Sequence, residues 1–205
     1  GIHKKIARIY SQQNIEVMKE KFRLGKISPL AGAPEINEAT FDQCDHIVAL
    51  LGAEAYIEAF NNNADIIIGG RATDTAVIAA YPLMKECDPA ACWHAAKTVE
   101  CGGVCTSAGL LGGVFTEIDD TGFTIHSVQP GSTATPYSVS SHMIYENSNP
   151  IRLYEPGICI DTANSTYTAL SDTAVRVEGT TIEYLPYQLK LEGSGAVGYQ
   201  TVSMV

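Results

Sequence analysis

The sequence predicts an α/β chain in two unlike parts: a parallel-sheet α/β part over residues 1–111, then a β-rich α+β part over 112–205. Up to residue 111, short β-branched runs alternate with helical patterns, the βαβα succession that lays parallel strands under helices. From Gly112 onward the apolar residues alternate along short runs cut by Gly, Ser and Asp, which is strand and turn chemistry. Hydrophobic residues make up 45% of the 205 and charged residues 18%, enough apolar surface for a sizeable core.

Taken in order, residues 4–11 with the apolar run IARIY read as a strand arriving from upstream. Over 14–24, Ile15, Met18 and Phe22 recur at helical spacing with Lys and Glu opposite. Gly25, Pro29 and Pro34 break that helix. Asn37 opens a short helix through Phe41, and 46–51 is an apolar strand. Residues 53–62 form a helix whose trailing asparagines supply a left-handed stop. The stretch 64–77, ADIIIGGRATDTAV, is the most pointed in the chain. Three isoleucines make a brief buried strand, Gly69 and Gly70 end it, and Thr73 or Asp74 caps a helix running to Met84. Asp88 and Pro89 start a helix over 90–100 that closes at Gly102 and Gly103. This first part reads as Rossmann-like.

In the second part, GVFTEIDDTGFTIHSV is a hairpin turning around Asp119, Asp120, Thr121 and Gly122. Residues 135–146 read as a helix. The runs IRLYEP, TYTAL, AVRVEG, TIEYL, YQLKLEG and YQTVSMV read as strands of a mixed or antiparallel sheet. Both termini run straight into apolar stretches, so the chain reads as a piece of a longer protein, cut at each end.

A net charge of -10 disfavours nucleic acid and anionic membrane surfaces as partners. No apolar run approaches the roughly 20 residues of a membrane span, and no signal segment is legible. The six cysteines are therefore expected as reduced thiols in a cytoplasmic protein. Cys87, Cys92, His94, Cys101 and Cys105 fall close together, with four, one, six and three residues between them. Structural zinc prefers C-x₂₋₄-C pairs on tight knuckles, so no metal site is expected. Walker, G-x-G-x-x-G, G-x-S-x-G and H-E-x-x-H templates are absent, and the sequence names no cofactor.

Two segments hold side chains that could carry chemistry. Gly69, Gly70, Arg71, Thr73 and Asp74 stand at a strand's carboxyl end before a helix N-terminus, where α/β sheets bind anions. Arg71 there either grips a carboxylate or phosphate through two parallel bonds, or steadies the turn by pairing with Asp74. On the helix WHAAKTVECG, His94, Lys97 and Cys101 share a face by spacing, with Glu100 close by. His94, Glu100 and Cys101 are the candidate proton carriers and nucleophile; a Lys97–Glu100 pair with an inward-packed Cys101 is the structural alternative.

The runs ADIIIGGRATDTAV, WHAAKTVECG, YEPG and KLEG resemble the acyclic terpene utilisation (AtuA) family across nearly the whole chain. The resemblance implies a bacterial cytoplasmic protein from genes that break down acyclic terpenes such as citronellol and geraniol, with relatives near acyl-CoA or carboxylic-acid enzymes. It also implies that a glycine-rich N-terminal portion precedes this chain. Carried over, the matching polar positions are Gly70, Arg71, Asp74, His94, Glu100 and Cys101. The resulting expectation is a hydratase, lyase or isomerase acting on a branched or small carboxylic acid or acyl-CoA. The alternative is a non-catalytic subunit that binds a neighbour-encoded enzyme; in either case a homo-oligomer is expected.

Overall fold

The computed structural model describes residues 3–196 and Gly198. Its first half runs β1 (Ile6–Ile9), α1 (Ile15–Arg23), α2 (Glu38–Asp42), β2 (His46–Ala49), α3 (Glu54–Asn61), β3 (Ile66–Gly69), α4 (Asp74–Met84) and α5 (Pro89–Val99). Local chemistry sets these boundaries. Asn14 caps α1 by accepting from the Val17 N–H, Thr73 caps α4, and Asp88 accepts from the Ala91 N–H with Pro89 as the first residue of α5. Asn63 takes a φ of 55° after α3, the left-handed stop expected of the asparagine run.

The second half holds β4 (Val114–Ile118), β5 (Gly122–Ser127), α6 (Pro136–Ser141), β6 (Arg152–Glu155), β7 (Ile158–Asp161), β8 (Thr166–Ser171), β9 (Ala174–Glu178), β10 (Thr181–Tyr184) and β11 (Leu191–Ser194). The expected helix over 135–146 tightens into a 3₁₀ turn at His142–Ile144. Strand β7 has no counterpart in the sequence reading. It forms because Pro156 and Gly157, the latter at a φ of 77°, make a tight turn that folds β7 back on β6. Of YQLKLEG only the end is strand, because Pro186 opens a loop over 185–190. The expected strand YQTVSMV lies outside the described residues.

The α/β class holds, with a smaller parallel component than a full doubly wound sheet. Strand β1 pairs parallel with β3, from Ile6 opposite Ile66 to Ile9 opposite Gly69. Strand β2 pairs antiparallel with β11 and is tied to the rest by a parallel bridge between Leu51 and Ala72. The other sheets are antiparallel, ordered β4-β5-β9-β8 and β10-β7-β6.

Helix α5 is the central element, buried along nearly its whole length. Its many alanines let α4 approach closely, Ala76, Ala79 and Ala80 meeting Trp93 and Ala96. That cluster also takes in Leu153, Ile158 and Ile160 from β6 and β7, so apolar residues from both sides of position 112 share one core. On its other side, Ala95 packs with Phe123, Ile125, Val175 and Val177 of the four-stranded sheet.

The exit of β3 is equally tight. A methyl group on Gly70 would stand 2.8 Å from the Ser11 backbone nitrogen, and one on Gly69 would strike the Tyr56 hydroxyl. Gly70→Ala is expected to destabilise the fold by about 1–3 kcal/mol, read as a lower urea midpoint. An unchanged midpoint would mean that the turn moves freely off β1.

Candidate functional site

Helices α4 and α5 and the end of β6 converge on a polar cluster. At its heart Lys97 and Glu100, one turn apart at the carboxyl end of α5, form an ion pair with side chains only 14% and 7% exposed. Thr75, in the first turn of α4, donates from Oγ1 to Glu100 Oε2 at 2.6 Å. Glu155 enters from β6, where Pro156 turns the chain and fixes the direction of the residue before it.

Glu155 lines a cleft of about 490 Å3, together with Leu50, Thr73, Tyr154, Leu185 and Lys190 among others. Its Oε2 is buried without a hydrogen-bond partner. Burial pushes this carboxyl above its usual range, the hydroxyls of Thr73 and Thr75 and the Lys97 ammonium work against that rise, and the Glu100 charge adds to it. On the same lining, Lys190 Nζ reaches Glu192 Oε1 at 3.1 Å. Glu192 Oε2 in turn accepts from Arg71 Nε at 3.0 Å, so one carboxylate bridges both cations. Arg71 first, then Lys190, hold Glu192 below the ordinary glutamate value.

The turn after β3 reaches the cleft through Thr73, which lines it while capping α4, accepting from the Ala76 N–H at 3.2 Å. Arg71 is joined through Glu192 to Lys190 of the lining, and lies 3.7 Å from the more exposed Asp74. Its backbone N–H donates to Ser11 Oγ at 2.8 Å. Gly69 and Gly70 serve close approach, but the groups that approach them are Tyr56 and Ser11.

Helix α5 sends its candidate residues to different places. His94 is fully buried against the four-stranded sheet. Its Nδ1 meets Thr180 Oγ1 at 2.6 Å, its Nε2 meets the Tyr167 hydroxyl at 3.3 Å, and its ring stands edge-on to Phe123. Burial drives its pKa down to about 3, so it is neutral at physiological pH. Cys101 is partly exposed and lies beside Tyr145, whose hydroxyl is pushed up first by Glu146 and then by Cys101. The Tyr145 ring stacks on His142 at 5.7 Å between centroids. His142 is itself buried, with Nδ1 unpartnered. Burial lowers its pKa, against a smaller opposing pull from Glu100.

Glu155, Lys190, Thr75 and His142 are not among the candidate site residues of the sequence, which reads YEPG as a strand end and turn, KLEG as an exposed ion-paired face and His142 as helix surface, whereas His142 is buried. A signal for two of them was present: YEPG and KLEG, the short outlying motifs of the family resemblance, are the segments that place Glu155 and Lys190 on the cleft. Among the described residues, no group of three or more His, Cys, Asp or Glu is arranged to hold a metal ion. All six cysteines are free, and no described helix is long and apolar enough to cross a membrane.

No curated protein and no solved structure matches the chain. The family model described as acyclic terpene utilisation family protein AtuA matches it over residues 1–205. With its whole length covered, the chain belongs to the acyclic terpene utilisation family.

Proposed function

We propose that this protein is an enzyme that moves a proton on a small or branched carboxylic acid or its CoA thioester, in a hydratase, lyase or isomerase reaction. The observation that carries this reading is Glu155: a buried carboxyl oxygen without a partner, on the wall of a cleft of about 490 Å3. Lys190 and Arg71 offer the ligand carboxylate or phosphate two cations already gathered around a carboxylate, that of Glu192. Leu50, Leu185 and Pro186 give an alkyl chain its apolar wall. Glu155 supplies or takes the proton, a role that buried His94 has no route to share.

A partner-binding subunit is the second reading. It draws on Leu110 and Leu111, which are 85% and 90% exposed in the turn before β4.

A thermal-shift screen of the full-length protein against branched carboxylic acids and their CoA thioesters separates the two. A ligand at a hundred times its Kd adds about 2.7 kcal/mol, or on the order of 5–10 °C in Tm for a chain of this size. The enzyme reading expects such a rise, lost in Lys190→Ala and reduced in Arg71→Ala. No rise across the panel, or one that both variants retain, would overturn it in favour of the subunit.

A further inference from the structure

The cluster behind the cleft has an uneven charge count. Glu100 has both oxygens engaged, Oε1 by the Lys97 ammonium and Oε2 by the Thr75 hydroxyl at 2.6 Å. The Lys97 ammonium is committed to that pair. Glu155 stands beside the pair, close enough to feel both charges, with Oε2 buried and without a hydrogen-bond partner. His142, from the turn after α6, brings no compensating charge, because burial disfavours its cationic form. Lys190, on the cleft lining, is half-exposed and joined to Glu192. Two buried carboxyls therefore share one buried ammonium. A carboxylate enclosed without its own cation is far less favourable than the carboxylic acid.

We propose that enclosure beside an ammonium already committed to Glu100 keeps Glu155 as a neutral carboxylic acid, which turns its O–H toward the cleft and selects a ligand that presents a bare acceptor oxygen, a carbonyl or a carboxylate. Glu155 is then a hydrogen-bond donor in the resting protein and the acid rather than the base of the first proton transfer. Glu100 and Lys97 act through it as positioning residues. Thr75 is the third, since its hydroxyl donates to Glu100 Oε2 and works against the rise at Glu155. The ligand half of this inference rests on the functional reading above; the protonation half does not.

The test is a pH titration of the full-length protein labelled with ¹³C at the glutamate carboxyl carbons. The Glu155 resonance is assigned by its loss in Glu155→Gln. Its midpoint is expected above that of free glutamate. In Glu100→Gln the midpoint falls, because Glu155 inherits the Lys97 ammonium; in Lys97→Met it rises. A wild-type midpoint in the ordinary glutamate range overturns the proposal, as does a folded Glu100→Gln variant in which it does not move. Should either variant fail to fold, the wild-type titration decides alone. Butyrate added at pH 6 then addresses the ligand. A shift of the Glu155 resonance supports the acceptor-oxygen ligand, whereas a high midpoint that butyrate leaves untouched overturns the functional reading and not the protonation of Glu155.

Discussion

Between pH 6.5 and about 3 the fold is expected to lose on the order of 5 kcal/mol of stability through His94. In the open chain this imidazole takes up a proton near pH 6.5, whereas in the fold, enclosed between α5 and the four-stranded sheet, it does so only near 3. The folded pKa is depressed, so the contribution is complete above 6.5 and drains away as pH falls through that window, by about 1.4 kcal/mol per pH unit. His142, also lowered by burial, adds in the same direction. Glu155 opposes them, since a carboxyl raised in the fold favours the folded state on the acid side. Asp119, held low by Arg176, loses its contribution only below its unfolded value of 3.8. Urea midpoints measured from pH 7 down to pH 4 should therefore fall steadily in the wild type. They should fall much less in His94→Gln, which keeps hydrogen-bonding groups toward Thr180 and Tyr167 and cannot become charged. Equal slopes in the two proteins would refute a neutral buried His94.

Glu155→Gln is expected to lower turnover by about 10²–10⁴-fold while leaving the urea midpoint and fold intact. Glutamine matches a protonated glutamate in size and in its ability to donate a hydrogen bond. It keeps the ligand's acceptor oxygen in place and cannot pass on a proton. The loss should therefore fall on kcat and leave KM nearly unchanged. The assay uses the acid or thioester returned by the thermal screen. Wild-type turnover in this variant would remove Glu155 from the chemistry and leave the cleft as a binding site only.

Much of the secondary structure was legible because it is set by near neighbours. Asn14, Thr73 and the Asp88-Pro89 step mark helix starts through bonds made within three residues, and the asparagines after α3 mark its end. The hairpin of β4 and β5 follows from alternation around the Asp119 turn. Family membership was legible as well, from four short motifs spread along the chain. Strand β7 was not, since ICID holds only three apolar residues before Asp161, with no period to distinguish it from a buried loop. Nor was the antiparallel pairing of β2 with β11, which joins segments far apart in the chain.

The candidate site divides along the same line. Residue types at the β3 exit and along α5 pointed to a region, and spacing placed His94 and Lys97 on one helical face. Only packing decided that the His94 ring enters the sheet core while the Lys97 ammonium meets Glu100 beside α4. Only packing brought Glu155 to that pair and put Lys190 and Thr73 on the lining of one cleft. Caps and turns are decided by bonds between near neighbours, which sequence exposes directly. Which side chain ends up buried beside which charge depends on how distant elements stack, and that was settled only when α4, α5 and β6 came together.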